Sequence, residues 1–233
     1  MSILTVALTG GIATGKSVIA RFLADHNCYV QSADQVAHNL VNPGRPSWKR
    51  ILSHFGPGIL NPDRTVNRKL LGEIVFSSET ERQFLNQVLH PLVLRQKKQA
   101  ARRLERLGTH KVFISEAALT IESGFAPFFD RIVVVHCPER VQVERLMKRD
   151  AITRSEARKR IRSQMPAAEK IKHADYLIDT SGTPAETLDQ AEHLYRSLLG
   201  DFRKKQAREK KNRANGRSRV QRPREGPRSR GAR

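Results

Sequence analysis

Gly10-Gly11-Ile12-Ala13-Thr14-Gly15-Lys16-Ser17 fits the spacing G-x-x-x-x-G-K-[ST] and directly follows the apolar run Ile3-Leu4-Thr5-Val6-Ala7-Leu8. Glycine at 10, 11 and 15 lets the backbone curl with its N–H groups pointing inward. The positive end of a following helix completes a cradle for anionic oxygens. Lys16 then reaches the β- and γ-phosphates, and the Ser17 hydroxyl ligates Mg²⁺. The amphipathic stretch Val18-Ile19-Ala20-Arg21-Phe22-Leu23 supplies the helix, a context that a chance glycine turn lacks. The chain is expected to hold a nucleoside triphosphate along Gly11, Ile12, Ala13, Thr14, Gly15, Lys16, Ser17 and Val18.

Moving a phosphoryl group from such a cradle needs an in-line acceptor, charge compensation and exclusion of water. A carboxylate beside the acceptor hydroxyl is expected at Asp34, just past the second strand in Gln31-Ser32-Ala33-Asp34; the same residue suits a helix N-cap, and position alone does not choose. Cations able to close over the phosphates are expected at Arg145 and Arg149, one helical turn apart, with Lys148 and the basic segment 154–162 nearby. A solvated helix face is the ordinary alternative. Glu116, ending the third strand, would hold Mg²⁺ directly or through water, or else opens a surface turn.

The elements that must position these residues alternate. Strand-like runs occur at Ile3–Leu8, Cys28–Gln31, Lys111–Ser115, Ile132–His136 and Tyr176–Asp179, with helical periodicity between them. That order predicts a P-loop NTPase-type, three-layer α/β/α fold with a five-stranded parallel sheet. Helix starts are marked at Pro138, at the capping box Thr153–Glu156 and at Thr183-Pro184-Ala185-Glu186. The long interval from Ser32 to Lys111 should hold a helical acceptor subdomain at about 34–107, with helices near 34–41, 48–55, 67–76, 79–89 and 91–107. A lid is expected at about 145–165, and the folded domain at 1–200.

At 38% hydrophobic residues the chain can fill one substantial core. No basic stretch precedes an apolar segment at the N-terminus, and no apolar run approaches the ~18 residues a membrane helix needs. Neither signal peptide nor membrane span is expected. Cys28 and Cys137 each adjoin a β-like run, which points to buried thiols and a reducing cytoplasm. Of the formal charge of +20, more than half lies in residues 201–233. That segment has almost no large apolar residue after Phe202, so a tail disordered past about residue 212 is expected. It serves either as a weak tether to RNA or as a solvated extension, and truncation at about residue 200 should spare a kinase activity.

Further residues carry a resemblance. These are Thr9-Gly10-Gly11-Ile12, Ala33-Asp34, Arg68, Leu89-His90-Pro91-Leu92-Val93, Glu122 closing Ala118-Leu119-Thr120-Ile121, Arg149-Asp150 with Thr153 and Gln164, and Ala174-Asp175-Tyr176-Leu177-Ile178-Asp179. Together, colinear from about Leu4 to Leu199, they resemble the dephospho-CoA kinases. The resemblance implies phosphorylation of the 3′-hydroxyl of dephospho-CoA by ATP with Mg²⁺, the last step of CoA biosynthesis. It implies that Asp34 orients and deprotonates the hydroxyl, that Lys16 and Arg149, with Arg145, neutralise developing charge, and that Ser17 holds the metal. Arg68 and His90 would line the acceptor side; His90 also reads as a packed residue at a helix start before Pro91. The chain departs from the family pattern in three places. Ser32 stands where Asp-x-Asp is common, Ala13-Thr14 where Gly-Ser is usual, and Thr180 where an Asn follows Ile-Asp. Other readings are a nucleoside or nucleotide kinase, an RNA-associated NTPase, and a non-catalytic nucleotide-binding module in which Asp34 only caps a helix.

Overall fold

The computed structural model describes residues 2–220. Five parallel strands form one sheet in the order β2-β3-β1-β4-β5: β1 Leu4–Gly10, β2 Tyr29–Ser32, β3 Val112–Glu116, β4 Arg131–His136 and β5 Tyr176–Asp179. Alternation along the strands divides the side chains between two faces. Leu4, Val6 and Leu8 of β1, with Val112, Ile114, Val133, Val135 and Ile178, pack against α1 (Lys16–Asp25) and α9 (Pro184–Val220). Tyr29 and Phe113 face the opposite way, against Ala100, Ala101 and Leu104 of α5 (Glu79–Leu107). Three layers follow from two-sided burial of the sheet.

The interval between β2 and β3 is a helical subdomain with its own core. α2 (Ala33–Leu40), α3 (Pro46–Phe55), α4 (Arg68–Ser77) and the first half of α5 enclose Trp48, Ile51, Ile59, Val66, Leu71 and Val88. The sequence suggested two helices divided at Pro91; instead α5 runs through it. Proline removes one helical donor and clashes with a carbonyl. Here Val88 and Val93, buried on either side, hold the helix on course. On the other side of β1, α6 (Glu139–Asp150) and α7 (Arg154–Arg162) form a hairpin that buries Val143, Leu146 and Ala157. The short α8 (Ala167–Ile171) returns the chain to β5. The capping box at Thr153 and Glu156 is formed, and Thr183 and Glu186 exchange the same pair of bonds at the start of α9.

The domain does not end at residue 200. α9 continues to Val220, and its early cations are committed. Asp201 accepts from Arg131 Nε (2.6 Å) and the Tyr176 hydroxyl (2.7 Å), Phe202 packs on the main core, and Lys205 Nζ donates to Asp130 (2.7 Å) and to the Ile3 carbonyl (2.9 Å). The expectation of disorder past about 212 departs from this helix up to 220; its remainder, 221–233, lies outside the described residues. Cys28 and Cys137 are free and buried, with burial pushing the Cys28 thiol up to about 12. No helix among the described residues is long and apolar enough to cross a membrane.

Candidate active site

The carboxyl ends of β1, β2 and β3 meet at one edge of the sheet, the place where open parallel sheets bind ligands. A cleft of about 370 Å³ there is lined by Lys16, Ser17, Asp34, Glu116, Arg149 and Gln164, so six side chains from distant parts of the chain converge.

Backbone geometry fixes the loop. Gly10 has φ 148°, and a Cβ there would lie 2.1 Å from the Val135 carbonyl oxygen; Gly15 sits in the left-handed region at φ 87°. Ala13 also takes a positive φ, 58°. Where the resembling family uses glycine, this chain accepts left-handed strain of about 1–2 kcal/mol, and Ala13 packs with Ile12 on the α6–α7 core. Gln142 Nε2 donates to the Ile12 carbonyl (2.7 Å), and the Ile12 N–H donates to Gln164 Oε1 (2.8 Å). Lys16 Nζ donates to the Gly10 (3.0 Å) and Gly11 (2.8 Å) carbonyls. Burial lowers the Lys16 ammonium to about 8, with Lys170 and Arg149 adding to the depression and Glu116 and Asp34 opposing it.

Two roles left open by the sequence are settled by the start of α2. The N-cap is Ser32, whose hydroxyl accepts from the Gln35 N–H at 3.4 Å. Asp34 is the second helical residue, exposed and facing the cleft, so its carboxylate is not used as a cap. Ser32 thus does for the helix what a first acid in Asp-x-Asp would do, and leaves the second free. Glu116, beside Ser32 and Leu8 in the sheet register, is raised above the usual carboxylate range by burial and by the charge of Asp34, against the pull of Lys16.

The cations separate. Arg149 lines the cleft with its guanidinium forked on Asp150 (2.7 and 3.1 Å), which also accepts from Arg160 Nη1 of α7 (2.7 Å). Arg145 turns away: it donates to the Thr180 carbonyl (2.7 Å) and hydroxyl (3.1 Å), and Thr180 Oγ1 donates to the Thr14 carbonyl (2.7 Å). Arg145 therefore braces the loop from behind. Val18 points outward and half-exposed from α1. His90 lies inside α5, not at a helix start, and stands edge-on to Phe125 with ring centroids 5.0 Å apart. Arg68 lines a second, apolar cleft that opens from Asp34.

Lys170 and Lys97 escape sequence reasoning. Lys170 is fully buried and bridges Glu122 (2.6 Å) and the Ala118 carbonyl (2.7 Å), while Glu122 also accepts from the Met165 N–H (3.2 Å). This pins the segment leaving α7 to the loop after β3. Lys97 is 3% exposed, with its ammonium 5.6 Å from the Phe125 and Phe129 ring centroids. The spacing Val93, Lys97, Ala100, Leu104 is an apolar stripe with a lysine in it, the signal that marks Lys97; nothing comparable marks Lys170.

A family model described as dephospho-CoA kinase matches residues 4–186. The chain belongs to the dephospho-CoA kinase family. A curated dephospho-CoA kinase from Halalkalibacterium halodurans is 43% identical over 76% of this chain and 88% of its own length. One from Geobacillus kaustophilus is 43% identical over 80% and 92%. The solved dephospho-CoA kinase of Campylobacter jejuni superposes with a TM-score of 0.62 at 26% identity, covering 83% of this chain and 96% of that one. A Thermus thermophilus crystal structure does so with a TM-score of 0.73 at 27% identity, over 86% and 98%. In this family member the donor set also fits a magnesium ion. The Ser17 hydroxyl and the Glu116 and Asp34 carboxylates are hard oxygen donors on one cleft wall, enough for an ion that takes one or two carboxylates and fills its remaining positions with phosphate and water. Among the described residues there is no cluster of three or more His, Cys, Asp or Glu that would cage a metal by itself.

Proposed function

We propose that the protein transfers the γ-phosphoryl group of ATP to the 3′-hydroxyl of dephospho-CoA, giving CoA and ADP, the final step of CoA biosynthesis. One observation carries this reading: Asp34, released from helix capping, lines the wall between the phosphate cleft and the apolar cleft and belongs to both. An alcohol delivered there meets a carboxylate on one side and the donor loop on the other.

In the reaction Asp34 accepts a hydrogen bond from the hydroxyl, aligns it and takes its proton as the new P–O bond forms. Lys16 exchanges the Gly10 and Gly11 carbonyls for the β- and γ-phosphate oxygens and stays with them as the β–γ bridge breaks. Arg149 stands on the α6–α7 hairpin, the lid of this reading, and leaves Asp150 to compensate charge on the transferring group. Ser17, with Glu116 directly or through water, would hold Mg²⁺, which when bound supplies charge neutralisation across the β- and γ-oxygens. Arg68 faces the acceptor's diphosphate. The buried cysteine thiols and the absence of a spanning helix among the described residues support a cytoplasmic setting.

The test is ADP release from ATP and Mg²⁺ with dephospho-CoA, adenosine, shikimate, gluconate or uridine. Turnover should be confined to dephospho-CoA, and Asp34→Asn should lower it at least ~10²-fold with the chain still folded. A preference for another alcohol, or an Asp34→Asn enzyme at full rate, refutes the assignment.

A further inference from the structure

The second cleft, about 220 Å³ between α2, α4 and α5, is not explained by phosphoryl transfer. Its walls are apolar, with Val41, Val66, Leu71, Val75, Leu85 and Leu89 among them. Three features make it a ligand channel rather than a packing defect. It is continuous with the reaction site, since Asp34 lines both clefts. Its polar groups are ordered along it, Asp34 first, then Arg68 and His38. His38 lies one helical turn after Asp34 on the same face of α2, and its Nδ1 is buried without a hydrogen-bond partner, a group left for a ligand to satisfy.

The third feature is Gly72. Arg68, Leu71, Gly72 and Val75 all line the cleft and follow the i, i+3, i+4, i+7 pattern of one helix face. Gly72 is therefore on the cleft side of α4, and a Cβ built there meets no atom within 4 Å. Its φ is not in the left-handed region, so no backbone conformation requires glycine. Glycine is the poorest helix-interior residue short of proline, and a local choice against the element marks a functional constraint. Here the constraint is open space.

Resting on the dephospho-CoA reading above, we propose that Gly72 and His38 determine specificity for the acceptor's flexible arm. Gly72 keeps the cleft open to it, and His38 Nδ1 hydrogen-bonds an amide or hydroxyl along it. The acceptor's chemistry matches the order of groups: a ribose hydroxyl at Asp34, a diphosphate at Arg68, then a chain of methyl and methylene groups interrupted by a hydroxyl and two amides.

Steady-state kinetics of the full chain with ATP and dephospho-CoA test this. Gly72→Leu should raise KM for dephospho-CoA at least tenfold and Gly72→Ala by less, with KM for ATP unchanged and the melting temperature equal to or above that of the parent. His38→Leu should raise the same KM several-fold, and His38→Asn, whose amide reaches the place of Nδ1, should restore most of it. An unchanged dephospho-CoA KM in Gly72→Leu overturns the proposal, as do equal rises for both substrates or His38→Asn behaving like His38→Leu. If the parent chain fails to turn over dephospho-CoA, the reaction assignment itself falls. An active parent with an indifferent Gly72→Leu removes only the channel.

Discussion

Removing Glu122 should cost more stability than removing Lys170, although the two form one ion pair. The Lys170 side chain is 1% exposed and that of Glu122 21%. In Glu122→Leu the ammonium keeps only the Ala118 carbonyl, deep in the protein, and breaking a buried pair this way costs ~3–5 kcal/mol. In Lys170→Met the carboxylate keeps the Met165 N–H and part of its hydration, so the loss is that of a charged hydrogen bond, about 1.5–3 kcal/mol. At about 2–4 °C per kcal/mol for a chain of this size, Glu122→Leu should melt roughly 6–20 °C below the parent and Lys170→Met roughly 3–12 °C below. The double variant, with two apolar residues of similar volume, should recover a large part of the loss. Urea titrations of the four proteins give the cycle directly. A milder Glu122→Leu, or a double variant that costs the sum of the singles, would refute the account of the pair.

Three further outcomes follow from the site and the helix that closes the fold. Because Lys16 must be charged to grip phosphate and sits at about 8, kcat/KM for ATP should fall as pH rises above about 8; a profile flat to pH 9 would contradict its burial. Arg149→Ala should depress kcat by ~10²-fold or more while changing KM for ATP far less, since the guanidinium rests on Asp150 until the transferring phosphate draws it away; equal losses in both argue against that role. Ending the chain after Asn212 should leave turnover intact, whereas ending it after Gly200 should destabilise it by more than ~2 kcal/mol, because Asp201, Phe202 and Lys205 are structural, and equal melting temperatures would sink this.

The sheet and the donor loop were legible in the sequence because their signals are local. Short apolar runs mark strands whatever surrounds them, and G-x-x-x-x-G-K-S encodes its own backbone. The continuous α5 was not, since Pro91 obeys a local rule that packing at Val88 and Val93 overrides. Nor was the reach of α9: few apolar residues follow Phe202, yet Asp201 and Lys205 find partners on β4 and in the turn before it, contacts that no window along the chain contains. Arg145 and Arg149 look equivalent at i, i+4. Only the position of Thr180, brought in by β5, sends one behind the loop while the other faces the cleft. Ser32 reads as a missing acid until its capping bond is seen.

The resting loop is already saturated by its own neighbours. Gln164 occupies the Ile12 N–H, and the Lys16 ammonium is spent on two carbonyls. A ligand must outcompete these internal substitutes one contact at a time, and a lone monovalent anion returns too little for each contact it breaks. A polyanion displaces them together, and in freeing Gln164 it unfastens the hairpin that carries Arg149. The same bonds that keep the empty loop in shape therefore act as a threshold, turning the arrival of a triphosphate into the release of the lid.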